Sequence, residues 1–280
     1  MTATPAERPD VSVPCAFRMA DSWTSGTASF APDRLAAQAI EAAVPGTARA
    51  SLAGADFEFR VLEHLADAGI TQVLHLGHGY PYAPAIRGVL GWETVQQHNA
   101  GAPVVLVCTD RTVYTRTEML VHADAPVVTL FREQLGPEIL DDPRVRDVID
   151  LAQPVAVLLT GLHHQHPAPD LSALVGGITA CMAPGSLLAL SHLAAPARRH
   201  RRRLTRLMHE ATDGRWGRVR APGDLAKALL GLERVGPRPG DVTAWSAVGR
   251  TLPTHANLPM AGPAPAVFEY GALVRVRAWA

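Results

Sequence analysis

The spacing of apolar positions along the chain changes once, near Gly69. Before it, 33–44 and 53–68 repeat at helical spacing, with Leu35, Ala39 and Ile40 on one face and Phe57, Val61, Leu62 and Leu65 on the next. Asp33 is placed to cap the first of these helices. After Gly69, short apolar runs closed by turn residues recur at 72–76, 103–107, 126–130, 154–159 and 186–190. Stretches able to form helices separate them, at 92–98, 113–121, 145–151 and 171–182, and a longer helix is expected over 197–211. Strands apolar on both faces, alternating with helices, predict a parallel sheet covered on two sides. The runs 231–235 and 267–277 can add strands at the end, joined by a Pro-rich surface loop over 251–266. The expected organisation is a flexible arm over 1–16, a helical lid over 17–70 and an α/β domain over 71–280.

Composition narrows the partners. The 280 residues carry 26 Lys and Arg against 26 Asp and Glu, so no field favours nucleic acid or an anionic membrane. Cys15, Cys108 and Cys181 are odd in number and far apart, which speaks against a disulfide framework and for a reducing, cytoplasmic setting. The first residues show no basic segment followed by an apolar one, and no apolar run reaches the length of a membrane span. The run "ARRHRRRLTR" spreads its cations around the whole helical turn and reads as a solvated face.

Chemistry gathers at the strand ends. The first strand closes on "VLHLGHGYPY", where Gly77 and Gly79 occupy the position of a nucleotide-binding turn. The next closes on "VVLVCTD", where a ribose-holding acid belongs; Cys108 comes first and the acid arrives at Asp110. Six histidines share these carboxyl ends: His75 and His78, then His163, His164 and His166, then His192. Imidazole titrates near neutral pH and suits proton transfer to or from an amine or hydroxyl. The HHxH spacing lies on a loop without a carboxylate at helical spacing, so no metal site is expected from it. Trp23, Tyr80, Tyr82 and Trp92 are candidates for an aromatic wall around a substrate, core packing being the commoner use.

The chain resembles an actinobacterial S-adenosylmethionine methyltransferase-like family. "GTASFAPDR" corresponds to its G-x-D-N-F-x-x-D-R segment, "HLGHGYPY" to D-I-G-S-G-L-P-T, and "VLVCTDRTV" to V-Y-V-D-N-D-P-V-V. "ILDDPRVRDVIDLAQPVAVLL", "LHHQHP", "PGSLLALSH" and "EYGALVRV" follow in order, so the resemblance runs from about residue 17 to 277. It implies a Rossmann-like class I methyltransferase fold, a seven-stranded, mainly parallel sheet with an N-terminal helical lid. It is poorest at the acids: the family's strand-one aspartate falls on His75, its ribose acid on Cys108, and the acid after the third strand on Leu130 or Phe131.

That pattern leads to three expectations. The first is an enzyme with an eroded cofactor site that uses no cofactor and closes a small ring by internal displacement of a leaving group such as sulfate. It is similar in kind to methyltransferase-like proteins of aziridine and azabicycle pathways in antibiotic biosynthesis. The second is a small-molecule methyltransferase that uses S-adenosylmethionine. The third is a silent subunit paired with a homologous partner, and a homodimer is the other assembly considered. The expected catalytic residues are His75, His163 and His164, with Gly77, Gly79, Cys108 and Asp110 at the cofactor position. Asp33, Arg34, His78, Tyr80, Tyr82, Trp23 and His192 are the expected substrate contacts.

Overall fold

The computed structural model describes residues 10–79, 90–245 and 265–277. Tyr80 and Tyr82, and most of the Pro-rich loop, lie outside them. Seven strands form one sheet: β1 (Val73–Leu76), β2 (Val104–Cys108), β3 (Val127–Phe131), β4 (Ala156–Leu159), β5 (Leu187–Ala194), β6 (Glu233–Asp241) and β7 (Phe268–Arg275). Their order is β3-β2-β1-β4-β5-β7-β6. The first five pair in parallel; β7 runs antiparallel between β5 and β6. Strand order reverses between β1 and β4, and the crevice beyond that reversal is where such sheets place ligands.

Alternation along the strands feeds two cores. Leu74, Leu76, Val105, Val107, Val157 and Leu159 point to one face. Val73, Val104, Leu106, Ala156 and Leu158 point to the other, which α3 (Thr47–Asp67) covers with Phe57, Val61, Leu62 and Leu65. The apolar face read from the sequence is therefore the one α3 buries. His75 shares the parity of Val73 and turns toward α3.

The N-terminal helices differ from expectation in their bounds. The segment 16–23 forms a helix of its own, α1 (Ala16–Trp23), ahead of α2 (Ala31–Ala43). Because α2 starts at Ala31, Asp33 lies in its first turn and accepts the Phe30 N–H at 2.8 Å; Phe30 holds the cap position. Asp33 is fully buried and also holds the Cys15 N–H and the Arg18 guanidinium, each at 2.8 Å. It braces α1 on α2.

Between β4 and the strands before it, the helices are α4 (Gly91–His98), α5 (Arg111–Leu120) and the short α6 (Pro143–Arg146). The helix expected over 145–151 does not continue past Arg146. Gln72 binds the Asp150 backbone on both sides, with Nε2 donating to its carbonyl at 2.7 Å and Oε1 accepting its N–H at 2.9 Å. That tertiary clasp outweighs the local periodicity. After β4 come α7 (Leu171–Ala180), α8 (Arg198–Ala211) and α9 (Pro222–Ala228). No helix among the described residues is long and apolar enough to cross a membrane.

Candidate functional site

Two glycines close the crevice. Gly77 ends β1 at φ +85°, and a Cβ there would stand 2.3 Å from the Thr160 carbonyl oxygen. Gly161, after β4, has φ +63° and would place its Cβ 2.8 Å from the Gly77 carbonyl. Only residues without a side chain allow the turns after β1 and β4 to meet backbone to backbone. The N–H groups of Gly77 and His78 both donate to the Val107 carbonyl at 3.0 Å, which ties the turn to β2 as well.

Beyond the ends of β2 and β3 lies a cavity of about 630 Å³. Cys15, Arg18, Asp110, Phe131, Glu133 and His164 are among its walls. Asp110 caps α5, its Oδ1 accepting the N–H groups of Thr112 at 2.8 Å and Val113 at 3.1 Å. Its Oδ2 accepts the Cys15 thiol at 3.4 Å. Burial and the Asp110 charge push that thiol up to about 12, so it stays protonated and donates. The Arg111 guanidinium lies over the Phe131 ring, 4.3 Å from its centroid. Cys108 contributes nothing to this wall; it is fully buried in a small cluster with Phe17 and Val113.

A second, inner chamber of about 50 Å³ lies between α1, α3 and the ends of β1, β4 and β5. Glu58, His163, His164, Ser191 and Glu269 line it, with Gly77 and Gly79 at its floor. Phe17 and His164 belong to both cavities and divide them, their rings 4.4 Å apart. Glu269 reaches the chamber because β7 is antiparallel: its register pairs Glu269 with Leu193, near the carboxyl end of β5. Gly54, one turn before Glu58 on α3, makes room for it, since a Cβ at 54 would stand 3.1 Å from Glu269 Cγ.

Burial sets the protonation of these groups. Desolvation, with a smaller contribution from Asp241, pushes Glu269 up to about 8, against a hydrogen bond from Ser191 that lowers it. Desolvation pushes Glu58 up to about 7. His163 falls to about 3 through burial, and His164 and His192 are held well below the usual imidazole range by burial and by neighbouring imidazoles. Neutral rings have defined tautomers. His163 Nδ1 accepts the Leu193 N–H at 3.4 Å, and His164 Nδ1 accepts the Trp216 indole N–H at 3.2 Å. Each therefore carries its proton on Nε2 and presents a donor there.

A third cluster lies behind the Gly77 turn. His75 Nε2 is 2.5 Å from Thr160 Oγ1, and the Thr160 hydroxyl donates to Glu58 Oε2 at 3.3 Å. His75 Nδ1 faces His78 Nδ1 at 3.3 Å. Burial and the neighbouring His78 lower His75, and burial lowers His78 to about 4. His75 and His78 both lie outside the walls of the cavity beyond β2 and β3 and of the inner chamber.

The remaining expected contacts are placed elsewhere. His192 donates from Nδ1 to the Leu193 carbonyl at 2.9 Å and lies behind His163. Trp23 binds the Ala37 carbonyl and packs α1 on α2. Arg34 is exposed and donates to the Ser29 carbonyl at 2.6 Å. Glu58 and Glu269 escaped the sequence reading. One sits on a covering helix and the other on the antiparallel strand, and neither follows a parallel strand's carboxyl end.

Comparison with known proteins completes the site. The chain matches the S-adenosyl methyltransferase family over residues 2–264. In solved structures it is similar to a candidate methyltransferase from Thermobifida fusca YX, at 25% identity and TM-score 0.78, covering 98% of this chain and 100% of that one. It shares its fold with a DUF574 family protein from Streptomyces avermitilis MA-4680, at 24% identity and TM-score 0.75, covering 96% and 99%. No curated protein matches. The family match overturns the expectation of an enzyme without a cofactor: the cofactor it implies is S-adenosylmethionine.

Proposed function

The chain belongs to the S-adenosyl methyltransferase family, and from that premise we propose that it methylates a nitrogen or oxygen nucleophile of a small molecule. The observation that carries this reading is the pairing of a cavity of about 630 Å³ with a small chamber holding a buried carboxyl group, the two parted by one ring contact.

The larger cavity suits the cofactor's nucleoside. Its volume falls within the range of small-molecule sites. Asp110 presents a carboxylate at the end of β2, two residues beyond the position the family uses, and Phe131 presents a ring for stacking. Glu133 adds a second carboxylate. Bound there, the cofactor would supply an electrophilic methyl group.

The chamber suits the acceptor's reacting group. At about 50 Å³ it admits a functional group and no more, so the body of the acceptor requires α1 to shift. His163 and His164 offer Nε2–H donors to orient a nitrogen or oxygen lone pair. Glu269, once deprotonated, takes the acceptor's proton on a carboxylate oxygen. A ring closure that expels sulfate asks for a cation to receive it, and among the described residues the chamber's lining has carboxyl groups and no Lys or Arg.

Calorimetry with S-adenosylmethionine and its demethylated product tests the reading. Saturable binding of both, weakened about 10- to 100-fold in Asp110→Ala by loss of a charged hydrogen-bond acceptor, is the expected result. No binding of either to the folded chain would contradict it.

A further inference from the structure

We infer that Glu58, His75 and His78 form a site for a divalent transition-metal ion of the zinc class. They are brought together by α3, β1 and the turn after it, and one ligand atom from each lies within 4.8 Å of the others. The two Nδ1 atoms are 3.3 Å apart, about the spacing that bonds of 2.0–2.1 Å to a tetrahedral ion produce. Glu58 Oε2 is 3.7 Å from His75 Nε2, the other nitrogen of that ring, so the carboxylate joins the set by swinging toward the Nδ1 pair. Two imidazoles and one carboxylate are a ligand set that zinc-class ions favour, and three protein ligands leave a fourth position open.

Two further observations point to an occupant. His78 is 3% exposed, and among the described residues its Nε2 has no hydrogen-bond partner and its Nδ1 meets only His75 in polar contact. A cavity of about 10 Å³, the size of a single small occupant, is enclosed by Glu58, His75, His78, Gly91 and Trp92 among others. Thr160, within reach of both His75 and Glu58, is placed to hold the ligands from behind.

Glu58 also lines the inner chamber, and its side chain is 17% exposed. An ion bound through Glu58 on the far side of the Gly77 turn would fix that carboxylate in the chamber wall. This role rests on the methyl-transfer reading; the binding of the ion does not. The HHxH histidines, His163, His164 and His166, form no such group among the described residues.

The test is zinc binding to the chelator-treated full chain, read by competition with a chromogenic chelator and by cobalt substitution. Expected are one ion per chain, a visible cobalt spectrum of four-coordinate type, and affinity lowered by at least about 100-fold in both His78→Ala and Glu58→Gln. His98→Ala, which removes the exposed pair with Asp67, leaves binding unchanged. Zinc held equally well by Glu58→Gln and His78→Ala, or not held by the wild-type chain, overturns the site. Should His78→Ala fail to fold, the near-isosteric Glu58→Gln carries the decision. Cofactor calorimetry on the same preparation separates the two readings. Cofactor binding without zinc overturns only this one, and zinc binding without cofactor overturns only the earlier one.

Discussion

The two cavities meet at one pair of rings, Phe17 and His164, yet they are built on opposite physical terms. The larger one is walled by polar groups from strand ends and from the segment leading into α1, and its key acid, Asp110, is already tied down as a helix cap. The smaller one is lined by α1, α3 and strand ends, and desolvation governs every titratable group in it. A carboxylate already hydrogen-bonded as a helix cap suits recognition, because its position is fixed. A desolvated carboxyl suits proton transfer, because its protonation is poised near working pH. On the proposed reading, binding and chemistry fall to separate chambers, one at the ends of the parallel strands and the other under the elements that cover them.

The largest expected effect is on the chemistry side. Glu269→Gln keeps the shape of the chamber and removes its proton acceptor, so turnover should fall by about 10²- to 10⁴-fold with cofactor affinity unchanged. Steady-state kinetics on any accepted substrate checks this, and an unaffected rate would move the base elsewhere. Next in size is the partition itself. Gly77→Ala sets a Cβ against the Thr160 carbonyl at a left-handed position and should destabilise the fold by about 1–3 kcal/mol or more, measured by denaturant unfolding.

The smallest effect is a slope. Glu269 titrates at about 8 when folded, against an ordinary value of 4.5. Between those values the folded chain keeps a proton that the unfolded chain releases, so this group's contribution to stability declines as pH rises from about 4.5 to about 8. Glu269→Gln should flatten that part of the stability profile. The same titration makes the wild-type rate rise with pH and level off above about 8.

Much of the fold was legible because burial imposes period. Each of the five parallel strands appeared within a residue or two at its start, and α3 buried the face its spacing predicted. What periodicity missed were segments decided by distant partners. The end of α6 is set by Gln72, and Asp33 exchanges a capping role for a brace shared by Cys15 and Arg18. The site was legible only in part for the same reason. Gly77, Asp110 and the strand-end histidines follow from the rule that parallel strands deliver chemistry at their carboxyl ends. Glu269 belongs to a strand that runs the other way, so its first residues arrive at that same end. Glu58 reads as the polar face of a helix until α3 is laid over β1 and β4. The imidazoles are legible as a cluster but their tautomers are not, because the donors that fix them, Leu193 and Trp216, come from other elements.

The division between the two cavities is tested most directly by one calorimetric series: S-adenosylmethionine titrated into wild type, Asp110→Ala and Glu269→Gln. The account predicts binding to wild type, weakening of about 10- to 100-fold in Asp110→Ala, and wild-type affinity in Glu269→Gln. Equal weakening by both substitutions, or weakening by Glu269→Gln alone, would contradict it.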